Sequence, residues 1–118
     1  MSNVLTVNEL VDRADELDGQ PVDVVGLMTF EFENCSLNHF PKAERREITE
    51  ADDPPYERSS VWIAFGTGSM QPNQDVLTRW TGKRVRVVGI VRTPKGPCGC
   101  GHLGGWGCEI EAFSIERI

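Results

Sequence analysis

Leu17-Asp18-Gly19-Gln20-Pro21-Val22-Asp23-Val24-Val25-Gly26-Leu27-Met28 returns later in the chain as Trp80-Thr81-Gly82-Lys83-Arg84-Val85-Arg86-Val87-Val88-Gly89-Ile90-Val91. The shared frame is an apolar residue, one free position, Gly, two free positions, Val-x-Val-Val-Gly, then two apolar residues. Each copy follows a helical pattern. The first Gly of the frame suits a helix stop. The Val-rich run alternates as a strand does, and the second Gly marks a bend within it. A strand that must curve around a closed barrel uses such a glycine to avoid a side-chain clash at the corner.

Working outward, Thr6-Val7-Asn8-Glu9 reads as a capping box, a hydroxyl followed three residues later by a carboxylate. Val7, Leu10, Val11, Ala14 and Leu17 then fall on one helical face, so residues 7–17 are expected to be helix. Pro21 to Phe32 is expected to be a strand, with a continuation to Glu33. Residues 34–59 form a long excursion with three prolines and dense charge, holding one short strand near Cys35–Phe40. Ser60–Phe65 reads as a buried strand, Gln74–Trp80 as a short helix and Lys83–Arg92 as a strand. Thr93–Gly107 is a glycine-rich loop, and Cys108–Ile118 is the last strand, with Phe113 on the face of Glu109 and Glu111.

The repeated frame resembles the OB-fold, in which a helix and a Gly turn lead into sharply bent Val-rich strands. The resemblance covers residues 17–33, 60–65 and 80–118 and departs at 34–59. Gly101-His102-Leu103-Gly104 with Glu109-Ile110 and Ile115–Ile118 is similar to the C-terminal hairpin of small uncharacterised bacterial OB-like proteins. The fold expected is therefore all-β with minor helix. It is a small OB-like five-stranded barrel with an N-terminal helix, one domain over residues 1–118. The resemblance implies a binding role without naming a ligand.

Composition agrees with a single globular domain: 118 residues, 39% hydrophobic and 25% charged. No window approaches the roughly 18 apolar residues of a membrane span. The N-terminus has neither a basic nor an apolar leader region, so the expected location is the cytoplasm. Net charge is −6, from 18 acidic and 12 basic residues, which repels nucleic acid and anionic membranes as a whole. The distribution is uneven. Residues 1–33 hold eight acids and one base, Arg13, whereas Val76–Gly107 hold no acid but contain Arg79, Lys83, Arg84, Arg86, Arg92 and Lys95. Either these segments neutralise each other across the fold or the second forms an anion-binding surface.

Three chemistries are open. Cys98, Cys100, His102 and Cys108 offer three thiolates and an imidazole on a glycine-rich loop, the donor set of one structural zinc. Against it, Cys108 shares a strand face with Ile110 and Ala112, as a buried thiol would. A disulfide involving Cys35 is a third use. A cysteine nucleophile with His39 or His102 is conceivable, but no nucleophile elbow, P-loop or dinucleotide fingerprint is present, so no enzyme is expected.

Two binding modes remain. Arg84, Arg86 and Arg92 with Trp106 form a candidate single-stranded nucleic-acid surface, cations beside a stacking ring. Trp62 and Trp80 are expected in the core, and Glu109 and Glu111 are expected opposite Arg84 and Arg86. The favoured mode is a protein partner met through Glu31, Glu33 and the 34–59 excursion, with Lys42, Arg45 and Arg46 among the contacts. An acidic surface steers a basic protein, as in immunity-type neutralisation of a toxin.

Overall fold

The computed structural model describes residues 4–31, 34–40, 46, 56, 59–65, 73–95, 99–101 and 104–118. Its elements are β1 (Val4–Thr6), α1 (Val7–Asp12), α2 (Ala14–Leu17), β2 (Pro21–Glu31), β3 (Asn34–Asn38), β4 (Ser60–Ala64), α3 (Gln74–Trp80), β5 (Arg84–Arg92) and β6 (Glu109–Arg117). The protein is mostly β. Strand order is β1-β2-β3-β4-β6-β5, and β5 pairs back onto β2, so five strands form a ring with β1 attached outside it. The pairs β1–β2 and β4–β6 are parallel and the others antiparallel.

The long strand β2 makes closure feasible by serving two antiparallel neighbours. Its residues 21–27 pair with β5 and residues 27–31 with β3. The change of partner follows Gly26, where an added Cβ would lie 2.5 Å from the Asn38 carbonyl oxygen and 2.8 Å from Val7. Gly89 stands under the Glu111 carbonyl of β6 in the same way.

The two copies of the frame are related by a local two-fold centred on the paired residues Val24 and Val87. Gly19 N–H donates to Val91 O at 2.7 Å, and Gly82 N–H donates to Met28 O at 2.8 Å. Val91 N–H donates to Gln20 O, and Met28 N–H to Lys83 O. The Asp18 carboxylate accepts from Thr93 N–H at 2.9 Å, and the Thr81 hydroxyl accepts from Phe30 N–H at 3.0 Å. Each turn thus anchors the far end of the other copy's strand.

Inside the ring lie Val22, Val24, Met28, Leu37, Val61, Ile63, Val85, Val87, Val91, Ile110, Ala112 and Ile115. Val7, Leu10 and Ala14 from the N-terminal helices and Leu77 from α3 are buried in the same core. α1 rests on β4 and β2, and α3 on β2.

Several expectations change. The helix over 7–17 is two pieces, because the Arg13 N–H is shared between Glu9 and Leu10 carbonyls and its ψ of 13° leaves the helical region. The capping box is present: Glu9 N–H donates to the Thr6 hydroxyl and Thr6 N–H to the Glu9 carboxylate. β1 was not expected, being too short for any periodicity to show. In β6 the alternation breaks at a bulge. Val88 pairs with Ser114 and Gly89 with Ala112, so Phe113 is left unpaired and exposed, while Ile115 turns inward. No described helix is long and apolar enough to cross a membrane.

Candidate functional site

The alternation of β5 buries Val85, Val87 and Val91 and turns Arg84, Arg86 and Arg92 outward. Each arginine is engaged by its own chain. Arg86 Nε donates to Asp23 Oδ1 at 2.7 Å, and its Nη2 donates to Oδ2. Arg92 Nη2 donates to Glu111 at 3.3 Å. The Arg84 guanidinium lies 4.6 Å from the centre of the Phe40 ring, a cation–π contact. Lys95, a little further on, donates to Asp18. The carboxylates opposite are not those expected: Arg92 faces Glu109 and Arg86 faces Glu116. Antiparallel pairing sets the first residues of β6 against the last of β5, so Glu109 and Glu111 stand beside Arg92 rather than Arg84 and Arg86.

The glycine-rich segment is folded onto the outside of β4. Cys100 N–H donates to Trp106 O at 2.8 Å, and Trp106 N–H to Cys100 O at 3.1 Å, closing a hairpin. Trp62 alternates with buried Val61 and Ile63, so it lies on the outer face rather than in the core. The Trp106 ring packs on it at 4.8 Å with a 55° tilt, and Trp106 Nε1 donates to the Ser60 hydroxyl at 3.0 Å. Gly101, at φ +74, permits this approach: a Cβ there would lie 2.5 Å from the Trp62 ring. Tyr56 approaches Gly99 and Gly107. Trp80 packs against the core.

Cys100 and Cys108 are buried, and burial pushes each thiol up to about 12, with Glu109 adding to the effect at Cys100. Cys35 rises to about 11 for the same reason. A thiol held protonated at neutral pH is a poor nucleophile. Cys98 and His102 lie outside the described residues. Among the described residues no group of three or more His, Cys, Asp or Glu side chains is gathered for a metal ion. A cleft of about 470 Å³ opens beside the hairpin, lined by Phe65, Arg92, Lys95, Cys100, Glu109 and Glu111 among others. It carries both signs of charge, and its two cations are held by Glu111 and Asp18.

Glu31 is exposed at the end of β2, opposite Asn34. Glu33, Lys42 and Arg45 lie outside the described residues. Arg46 grips Asp12 through both nitrogens of its fork, at 2.5 and 2.9 Å, and its N–H donates to the Ser59 hydroxyl. It therefore ties the long excursion to α1.

The Asp23–Arg86 pair was not foreseen from the sequence, yet a signal for it was there. Asp23 and Arg86 occupy the same free position of the repeated Val-x-Val frame with opposite charges, and the local two-fold brings these positions diagonally together. Compared with protein-family models and with curated proteins, the chain finds no match.

Proposed function

We propose that this chain is a small OB-like β-barrel acting as a non-catalytic binding module in the cytoplasm, and that its partner is a basic protein. Ring closure through a long strand that changes partner next to a tightly packed glycine supports the barrel reading. The observation that carries the partner class is that the nucleic-acid candidates are already engaged within the chain. Arg84, Arg86, Arg92 and Trp106, the nucleic-acid candidates, are each engaged by Phe40, Asp23, Glu111 and Trp62. Asp15 and Glu31, by contrast, are exposed, and no salt bridge among the described residues involves them. An electronegative surface on a chain of net charge −6 speeds encounter with a cationic protein.

The test is capture of partners from the source cell by the wild type and by a Glu31→Lys/Glu33→Lys variant. A basic protein retained by the first and lost by the second supports the reading. If no captured protein responds to the reversal, this surface is abandoned. Lys42, Arg45 and Arg46 are the further contact candidates on the excursion. The second reading, single-stranded nucleic-acid binding, makes an opposite prediction: an oligonucleotide would bind at low salt with an affinity falling steeply as salt rises. Cofactor content is either none or one structural zinc on Cys98, Cys100, His102 and Cys108. Elemental analysis of chelator-free protein decides, and less than about a tenth of an equivalent removes the zinc.

A further inference from the structure

A second cleft, of about 480 Å³, opens where β1 and the N-terminal helices meet β2 and β5. Its apolar lining is Leu5, Leu17, Pro21, Val22 and Val88, and its polar lining is Arg13, Asp23 and Arg86. That volume falls within the range of small-molecule sites.

The polar groups determine what could bind. Asp23 is buried, at 4% exposure, and both its oxygens accept from Arg86. It offers an incoming ligand little, but it fixes the guanidinium that does face the cleft. Arg13 is held likewise, its Nε and Nη2 donating to Glu16. A guanidinium carries five N–H donors and no acceptor. The Nη1 side of each arginine therefore remains, and both side chains are nearly half exposed. With Glu16 and Asp23 already accepting from these arginines, the side-chain groups left to a ligand are the remaining guanidinium donors beside an aliphatic lining, which fits a ligand that brings acceptor oxygens and an apolar body.

We propose that this cleft binds a small amphipathic monoanion, an aromatic or branched aliphatic carboxylate. Its carboxylate meets Arg13 and Arg86, and its hydrocarbon lies on Leu5, Leu17, Pro21 and Val88. The proposal is independent of the protein-partner reading, whose test acts on Glu31 and Glu33.

The experiment is a methyl NMR titration of the full chain with three probes of one shape: 3-phenylpropionate, 3-phenylpropanol and 3-phenylpropylamine. The expected result is saturable shifts of the Leu5, Leu17 and Val88 methyls with the acid, and affinity at least about tenfold weaker for the alcohol and the amine. Arg13→Gln, at the exposed junction between α1 and α2, is expected to weaken the acid by about tenfold with an unchanged spectrum elsewhere. Glu16→Gln, which releases Arg13, is expected to tighten it. Equal binding of all three probes, shifts that fail to saturate at millimolar acid, or an unchanged affinity in Arg13→Gln would each overturn the proposal.

Discussion

Gly82 and Gly26 are both fixed by the fold, but for different reasons, and the difference is measurable. Gly82 sits at φ +83 with open space where a Cβ would go, so only its backbone conformation resists a side chain. Gly82→Ala is expected to cost about 1–2 kcal/mol in urea denaturation. Gly26 has no conformational demand of this kind but has the Asn38 carbonyl, Val7 and Leu37 against it, all within 3 Å of an added Cβ. Gly26→Ala is expected to cost about 2–3 kcal/mol and to loosen the ring where β2 changes partner. Equal costs at the two positions would contradict this assignment. The thiols supply a second prediction. Cys100 and Cys108 titrate at about 12 when folded and near 9.0 when unfolded. Below pH 9 both states hold the proton and nothing is lost. Between pH 9 and 12 the unfolded chain releases protons that the folded chain keeps, so stability falls with rising pH, by up to about 1.4 kcal/mol per pH unit per thiol. Cys108→Ala is expected to flatten that slope, measured by denaturation at pH 8, 9 and 10.

At the scale of elements, the glycine-rich hairpin is held to β4 by aromatic contact and one indole hydrogen bond. The Trp62–Trp106 pair predicts a coupling of about 1 kcal/mol in a double-mutant cycle with Trp62→Leu and Trp106→Leu. Additive losses would mean that the rings meet without contributing. This docking is also why Trp106 could not be placed from the sequence. A tryptophan among glycines looks solvent-facing until its partner on another strand is known, and Trp62 looks internal in an apolar run whose alternation is hard to phase. The helix and strand stretches were legible because their periodicity is local. The break at Arg13 and the bulge at Phe113 were not, since both adjust local regularity to fit neighbouring elements.

Across the whole molecule, the paired frames carry matching hydrogen bonds, which predicts matching local stability. The turn amides of Gly19 and Gly82, bound at 2.7 and 2.8 Å to the opposite copy, should exchange with deuterium at similar rates, as should those of Met28 and Val91. One turn exchanging orders of magnitude faster than its counterpart would show that the two-fold is geometric and not energetic. Charge is distributed differently. The acid-rich N-terminal third and the acid-free basic stretch neutralise each other in part: Asp23 takes Arg86, and Asp18 takes Lys95. The remaining balance is acidic, at a net charge of −6.

The sequence alone determined the β-rich class, the two Val-rich strands and the helices before them, because glycine placement and alternation are properties of neighbouring residues. It also determined that the chain is acidic and carries four cysteines. Only the tertiary structure decided which charges cancel, which tryptophan faces out, and that a donor-lined cleft opens beside β1. Those outcomes depend on the register between strands distant in sequence, and register is set by the closing of the ring, not by any one stretch of chain.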